Sequence, residues 1–335
     1  MTQHPTAQVP DCVPDLSASG GERRWAAEEL EPAACALCGD RADLAPVIRR
    51  PDGLDVVECR NCRLAFIDPR PHPELIARLY DCGYFGGAGA SVDAIGYEDY
   101  LSTEAASRIG MRRAMRERAN VVGRFVSFTG RHLLELGCAS GEFAAEARRA
   151  GAVVTATDIS APIIEVARSR HPGIEFLVAS AEEIADTGRT FDIVCGFELV
   201  EHVTDPVGFF KALRRLTRPG GIAVLSTPNY DEGRAVDAER WLGFRISLEH
   251  LYFFSATSLD ALARNAGLTP VAYFGAGSGL WTPAALESKR LARVKQALRA
   301  LRLLWLVRAA RAAIRSTPRY AIGTRGHSLV AVYRG

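Results

Sequence analysis

LLELGCASGEF, at residues 133–143, carries the strongest structural signal in the sequence. An apolar run ends here in a turn of small residues, Gly137, Ala139 and Gly141, and a helix-like pattern follows at once. Small residues let the backbone turn sharply and approach a ligand closely. Similar apolar runs recur after helix-like stretches, namely VVTATD (153–158), IEFLVAS (174–180), FDIVCGF (191–197) and GIAVLSTP (221–228). This alternation predicts an α/β fold with a doubly wound parallel sheet.

A carboxylate ends the second run, at Asp158. The carboxyl ends of parallel strands are where such sheets bind ligands, and a carboxylate there can accept hydrogen bonds from both hydroxyls of a ribose. Dinucleotide-binding folds share this feature. Asp158 alone therefore leaves NAD and S-adenosylmethionine (SAM) both open.

The ordered motifs resemble those of the class I SAM-dependent methyltransferases. In that family the first strand ends E-x-G-x-G-x-G, and here Ala139 stands in place of the middle glycine. The order continues with LVASAEEI (177–184), FDIVCGFELVEHVTDP (191–206) and RPGGIAVLSTPN (218–229). The resemblance implies a seven-stranded Rossmann-like sheet, in which PVAYFG (270–275) and HSLVAVYR (327–334) add strands at one edge.

The resemblance also implies a SAM site at the carboxyl edge of this sheet. The glycine turn would face the amino acid part of SAM, and Asp158 with Ile159 would hold its ribose and adenine. Glu182 or backbone groups would bond the adenine amine, because no acid stands at Ser180. The predicted cofactor residues are Glu135, Gly137, Cys138, Ala139, Gly141, Asp158, Ile159, Ser180, Ala181 and Glu198. A different Rossmann-type enzyme, or one that has lost its ligand, is the alternative.

Methyl transfer needs a group that removes the acceptor's proton, and the predicted catalytic residues are Glu201, His202 and His250. Imidazole has the ordinary pKa best suited to this task. The segment around Glu198 resembles that of the ubiquinone-biosynthesis O-methyltransferases, which implies a second divalent cation beside Glu198, Glu201 and His202. One alternative is that Glu201 and His202 cap the next helix and pair with arginine side chains. Another is that the aromatic insertion around His250 is plain core.

Four cysteines form two CxxC pairs, Cys35 with Cys38 and Cys59 with Cys62. Four thiolates at this spacing predict a tetrahedral zinc site in a zinc ribbon. A ribbon ahead of a SAM domain resembles a bacterial group of zinc-ribbon methyltransferases that act on sugars and other small molecules. That resemblance implies a small acceptor, such as a nucleotide- or lipid-linked sugar, with the ribbon and residues 80–85 closing over the pocket. It leaves carbon, oxygen and nitrogen all open as the methylated atom.

The charge of the chain is nearly balanced, with 41 Lys and Arg against 39 Asp and Glu. This balance gives no overall attraction to nucleic acid, and we expect none as a partner, although an RNA methyltransferase and a non-catalytic SAM-binding zinc scaffold remain alternatives. No leader or membrane span is predicted, so we expect a cytoplasmic protein. The basic segment 288–319 has an amphipathic stripe, which suits peripheral contact with the inner membrane face, packing on its own domain, or a homodimer.

The sequence predicts four regions. They are a disordered arm at 1–31, a zinc ribbon at 32–70, a helical connector or lid at 71–129 and a SAM domain at 130–335, with a basic helical insertion at about 284–320.

Overall fold

The structure of this protein is a computed structural model that describes residues 25–50, 52–82, 108–235, 249–276 and 320–335. The basic insertion predicted at 288–319 lies outside the described residues. The N-terminal elements are a 3-10 helix (Ala27–Glu29), β1 (Leu30–Glu31), β2 (Leu44–Arg49), β3 (Asp55–Cys59), β4 (Ala65–Ile67), β5 (Arg70–Pro71), α1 (Pro73–Cys82) and α2 (Arg108–Gly123).

The main domain alternates strands and helices. Its elements are β6 (His132–Leu136), α3 (Glu142–Arg149), β7 (Val153–Asp158), α4 (Ala161–Arg170), β8 (Glu175–Val178), α5 (Ala181–Asp186), β9 (Phe191–Phe197), α6 (Pro206–Leu216), β10 (Thr217–Pro228), α7 (Tyr230–Ala235), β11 (Tyr252–Phe253), α8 (Ala256–Asn265), β12 (Thr269–Ala276), β13 (Tyr320–Ile322) and β14 (Ser328–Arg334). None of the helices in the described part of the chain has the length and apolarity that crossing a bilayer requires.

The main sheet has eight strands in the order β13-β12-β14-β10-β9-β6-β7-β8. Strands β8, β7, β6, β9 and β10 are parallel, whereas β14 and β12 run antiparallel to their neighbours. The predicted doubly wound sheet and its seven strands are therefore confirmed, and the short β13 adds an eighth at the edge. The strand order reverses between β6 and β9, which is the point where such sheets bind their ligands.

The central strands are buried because both faces of the sheet are covered. Val194, Cys195 and Val224 are fully buried, and α6 packs Phe210 and Leu213 into the core on one side. Continuous apolar runs, without alternation, are what such two-sided burial requires. Cys195 accordingly lies in the core, as a small hydrophobic residue.

The N-terminal ribbon is joined to the main domain through a shared sheet. Its four strands have the order β11-β4-β3-β2, and β11 comes from the segment between β10 and α8. Tyr252 pairs with Phe66 and Phe253 with Ala65. One hydrophobic cluster runs from these residues into the main core, so the ribbon and the main domain bury apolar surface together.

The prediction of a disordered arm over residues 1–31 is wrong for the C-terminal end of that segment. Residues 25–31 form the 3-10 helix and β1, which pairs antiparallel with β5, and the Trp25 indole Nε1 donates a hydrogen bond to Asp52 at 3.2 Å. The prolines and small polar residues that suggested disorder lie mostly before this point, so the composition of the whole segment concealed its ordered end.

Candidate functional site

The turn after β6 places three residues in a left-handed backbone conformation. The φ angles are 66° at Gly137, 45° at Ala139 and 82° at Gly141. A Cβ on Gly137 would lie 2.8 Å from the Leu199 side chain, and one on Gly141 would lie 2.8 Å from the Phe176 ring. The conformation therefore favours glycine at these two positions, and a Cβ there would also force the Leu199 and Phe176 side chains to shift, whereas Ala139 adopts the same conformation at some cost in strain.

Asp158 is fixed beside this turn, at the end of β7. One of its carboxylate oxygens accepts the N–H of Ala139 at 2.9 Å, and the other accepts the N–H of Ser160 at 3.0 Å. Burial raises the pKa of this carboxyl, and the hydrogen bonds oppose that effect. Each carboxylate oxygen keeps a further lone pair, so the group can still accept hydrogen bonds from a ligand. The neighbouring Ile159 is exposed.

Glu135, near the end of β6, is a buried acid with an unsatisfied oxygen. Its Oε2 has no hydrogen-bond partner, and burial raises its pKa to about 8. The charge of Arg118 on α2 opposes that shift, and its guanidinium lies 4.8 Å from the centroid of the Phe197 ring. Arg118 was not predicted from the sequence, because α2 contains several arginines and nothing in the pattern distinguishes this one.

Two further predicted cofactor residues have structural partners. Ser180 caps α5, since its hydroxyl accepts the N–H of Glu183 while the Glu183 carboxylate accepts the N–H of Ser180. Glu198 has a positive φ of 51°, and its Oε1 accepts the hydroxyls of Ser226 at 2.6 Å and Ser328 at 3.0 Å. The remaining predicted residues of this group, Cys138 and Ala181, are buried.

The predicted catalytic residues Glu201, His202 and His250 come together. Nε2 of His202 lies 4.0 Å, and Nε2 of His250 lies 3.9 Å, from the same oxygen of Glu201, and the two imidazole rings are 4.7 Å apart between centroids. Glu201 is only 1% exposed, and neither of its carboxylate oxygens forms a hydrogen bond of good geometry among the described residues, although the Thr227 hydroxyl is close enough to lower its pKa. The cluster lies just beyond β9, at the same edge of the sheet as Asp158.

Burial has the largest effect on the pKa values of this cluster. It lowers the pKa of His202 to about 4, and it lowers the pKa of His250 well below its ordinary value, with the charges on His202 and Arg50 adding to the effect. Burial, followed by the charge on Glu198, raises the pKa of Glu201 well above its ordinary value. Both imidazoles are therefore neutral near pH 7.

The alternative role of Glu201 and His202 as caps of the next helix is wrong. Asp205 caps α6, with its side chain accepting the N–H of Gly208 at 3.0 Å. His202 instead has the Tyr80 hydroxyl 2.9 Å from its Nδ1. The helix α1, which carries Tyr80, thus reaches over the site.

The unsatisfied polar atoms of the structure are concentrated here. Among the described residues, the buried side-chain atoms without a hydrogen-bond partner are Glu135 Oε2, Thr157 Oγ1, His171 Nε2, both carboxylate oxygens of Glu201, Thr227 Oγ1 and His250 Nδ1. All but His171 belong to residues at or near the carboxyl edge of the sheet. Buried polar groups are normally bonded, so this concentration indicates where a ligand supplies the partners.

The four cysteines of the ribbon also come together as predicted. Their sulfur atoms lie within 4.8 Å of one another, and Sγ of Cys38 and Cys59 are 3.6 Å apart. Tetrahedral zinc, with Zn–S bonds of about 2.3 Å, separates its sulfur ligands by roughly 3.8 Å. The thiols of Cys35, Cys38, Cys59 and Cys62 therefore fit such an ion.

Sequence comparisons match the main domain. A family model described as a methyltransferase domain matches residues 108–273. The ubiquinone biosynthesis O-methyltransferase of Cereibacter sphaeroides (strain ATCC 17025 / ATH 2.4.3) is 37% identical over 155 residues, which are 43% of this chain and 62% of that protein. The protein of the same name from Roseobacter denitrificans is 33% identical over 184 residues, or 52% of this chain and 70% of that protein. The chain thus spans less than two thirds of the first relative.

A comparison of structures adds a further similar protein. A SAM-dependent methyltransferase of Thermotoga maritima, described as a possible histamine N-methyltransferase, is 18% identical, with a TM-score of 0.48. The match covers 70% of this chain and 95% of that one.

The Glu135→Gln variant is expected to flatten the pH dependence of stability. Glu135 has a raised pKa when folded, so the wild type loses stability as pH rises from about 5 to 8, where the unfolded chain is ionised and the folded one is not. Each pKa unit corresponds to about 1.4 kcal/mol, so the variant should be more stable at pH 8 by up to several kcal/mol, and by little at pH 5.

Urea unfolding of the ligand-free protein at pH 5, 6.5 and 8 measures this difference. Glu182→Gln, on an exposed side chain of α5, is the control and should follow the wild type. Parallel pH curves for Glu135→Gln and the wild type would show that the prediction is wrong.

Proposed function

The chain belongs to the class I SAM-dependent methyltransferases, and we propose that it transfers the methyl group of SAM to a hydroxyl oxygen of a small molecule. The observation that carries this proposal is the buried cluster of Glu201, His202 and His250, which lies at the same edge of the sheet as Asp158 and the glycine turn. The names of the relatives, as O-methyltransferases, support oxygen as the acceptor atom.

The residues around the turn after β6 fit SAM. The unsatisfied Oε2 of Glu135 would suit the ammonium group of SAM, and Arg118, whose charge acts on Glu135, would supply a cation for the carboxylate of SAM. Asp158 would bond the ribose hydroxyls and Ile159 would cover the adenine. The Ser180 hydroxyl is occupied in its cap, so backbone groups near Ala181 are better candidates for the adenine edge.

SAM, when bound, supplies a methyl group on a sulfonium, and the protein's own task is to align the acceptor and accept its proton. A hydroxyl becomes strongly acidic as its oxygen bonds to the methyl carbon, so a neutral imidazole of low pKa suffices as the base. One imidazole of the pair His202 and His250 would take that proton. The carboxyl group of Glu201, 3.9 to 4.0 Å from both rings, would orient them.

The same three side chains are a candidate site for the second divalent cation. One carboxylate and two imidazoles are a donor set that suits zinc and similar ions. This set differs from the predicted one, because His250 takes the place of Glu198, whose Oε1 is bonded by two serine hydroxyls. An ion held by both Nε2 atoms would compete with the role of base, and assays with and without added Mg²⁺, Mn²⁺ or Zn²⁺ distinguish the two.

The covered position of the cluster supports a small acceptor. Tyr80 on α1 reaches His202, and the ribbon lies against the segment that carries His250, so the N-terminal part of the chain covers the cluster on one side. This enclosure suits a molecule such as a nucleotide- or lipid-linked sugar better than a long nucleic acid strand.

Replacing His202 or His250 by Ala is expected to lower methyl transfer about a hundredfold or more, because each change removes a candidate base. The assay follows tritium from [methyl-³H]SAM into a small-molecule fraction of cell extract and, separately, into total RNA. S-adenosylhomocysteine binding, measured by calorimetry, should stay within about twofold. His132→Ala, at the opposite edge of the sheet, is the control.

Label in the small-molecule fraction supports the proposal, and label in RNA alone contradicts it. If both histidine variants transfer methyl groups at the wild-type rate, neither histidine is needed for catalysis.

Asp158→Asn is expected to weaken S-adenosylhomocysteine binding about tenfold or more. The backbone N–H groups of Ala139 and Ser160 face both carboxylate oxygens, so an amide NH₂ would oppose one of these donors and turn the side chain away from the ribose. Calorimetry measures the affinity. Asp192→Asn, on an acid at the start of β9, is the matched control and should bind as the wild type does; equal affinities for all three proteins would contradict the assignment.

The ribbon is expected to bind about one zinc ion per chain through its four thiolates. Cys59→Ser should lose most of this zinc and lower the thermal midpoint, because the ion fixes the two CxxC turns that carry the shared sheet. Elemental analysis and a thermal shift assay measure both effects, with Cys195→Ala as the control that keeps its zinc. A wild-type protein without zinc, or full zinc content in Cys59→Ser, would refute the site.

A further inference from the structure

Backbone hydrogen bonds hold the segment that carries His250 from two sides. On one side, Leu251 and Tyr252 donate their N–H groups to the backbone carbonyl of Glu201, at 2.9 and 3.2 Å. On the other side, the Leu251 carbonyl accepts the N–H of Ile67 in the ribbon at 3.1 Å, and β11 pairs with β4. The ribbon and the loop after β9 therefore hold the same few residues between them.

The carbonyl of His250 itself accepts a hydrogen bond from Arg50, which lies in the turn between β2 and β3. The distance from the guanidinium Nη1 to the carbonyl oxygen is 2.8 Å, and the Arg50 side chain is 0% exposed. The other side of the guanidinium pairs with the fully buried Asp52, through Nε at 3.1 Å and through Nη2. Asp52 in turn accepts the indole N–H of Trp25 at 3.2 Å.

A buried ion pair of this kind is weak evidence for a gain in stability. Desolvating two charges costs about as much as their attraction returns, and similar apolar pairs are often as stable. Asp52 instead sets the direction of the guanidinium, because a carboxylate paired with Nε and Nη2 leaves Nη1 turned toward the segment that carries His250. Nη1 donates a hydrogen bond there to the carbonyl of His250.

We propose that Arg50 is a positioning residue for methyl transfer, which aims the His250 imidazole at the acceptor by holding its backbone carbonyl. This inference rests on the proposed function, with His250 as the imidazole of the pair that meets the acceptor. The ribbon then has a role in turnover that is distinct from its stability. Small misplacements of a reacting group cost large factors in rate, so losing this contact should lower kcat with little change in SAM affinity.

The experiment compares Arg50→Met and the double variant Arg50→Met/Asp52→Asn with Arg49→Met. The single variant leaves a buried carboxylate without its cation and is expected to be less stable. The double variant removes both charges and keeps an acceptor for Trp25, so it should fold. Arg49 is the matched control, since it is the adjacent arginine, its side chain is 69% exposed, and its ion pair is with Asp55 on the surface.

Four quantities are measured for each protein. They are zinc content, calorimetric binding of S-adenosylhomocysteine, kcat and KM with the acceptor fraction labelled by the wild type, and the ring signals of His250 in the NMR spectrum of ¹⁵N-histidine-labelled protein. The His250 signals are identified by their loss in His250→Asn. We expect the double variant to keep its zinc and its affinity within about twofold, to lose kcat about tenfold to a hundredfold, and to shift or split the His250 signals.

Unchanged kcat and unchanged His250 signals in the double variant would overturn the proposal. Loss of zinc or of binding in step with kcat would also overturn it, by assigning Arg50 a purely structural role. If the wild type labels no acceptor, the proposed function fails, and the NMR comparison alone decides whether Arg50 positions His250.

Discussion

The backbone carbonyl of Glu201 accepts two N–H groups from Leu251 and Tyr252, and the arrangement of the site depends on this contact. It joins the loop after β9 to β11, and β11 in turn completes the sheet of the ribbon. Because the Glu201 side chain belongs to the same residue, the contact also sets how its carboxylate meets the two imidazoles. The main sheet, the aromatic segment after β10 and the ribbon thus meet at one peptide group.

Several features of the site lower the stability of the folded protein. Ala139 and Glu198 adopt positive φ angles that cost about 1 kcal/mol or more each for residues with a Cβ, and both lie beside the proposed ligand site. Glu135 and Glu201 are buried with unsatisfied oxygens, which raises their pKa values. The apolar core on both faces of the sheet offsets these costs. Strain and desolvation are therefore confined to the edge where a bound ligand would relieve them.

The sequence predicted the main sheet well because its signals are local. Each strand is a buried apolar run, and the glycine turn with Asp158 fixes where the first two strands end. The pairing of β11 with β4 has no such signal, since two residues within an aromatic stretch look like core and their partner lies far away in the chain. Arg50 and Arg118 were missed for the same reason, because each depends on long-range packing. The resemblance placed residues 80–85 over the pocket, but it did not indicate that Tyr80 contacts His202.

Some local signals were present and were given the wrong weight. Ser180 and Glu183 have the S-x-x-E spacing of a capping box, and the structure forms that cap, yet the resemblance alone suggested a contact with adenine. The ordered residues 25–31 were similarly included in an arm judged by its average composition. Composition over a long window hides a short ordered end, whereas the spacing of a few specific residues does not.

The hydrogen-bond partners of the two imidazoles give them different roles in the proposed methyl transfer. His202 has the Tyr80 hydroxyl at its Nδ1 and a hydrogen bond with the Glu249 backbone, so its ring is held within the protein. His250 has no partner at Nδ1, although that atom is buried, and the hydrogen bond from Arg50 reaches only its backbone. A base must offer a lone pair that the protein does not already use. His250 therefore suits the transfer of the acceptor's proton, while His202, fixed by Tyr80, suits the orientation of its neighbour through the contact between their rings.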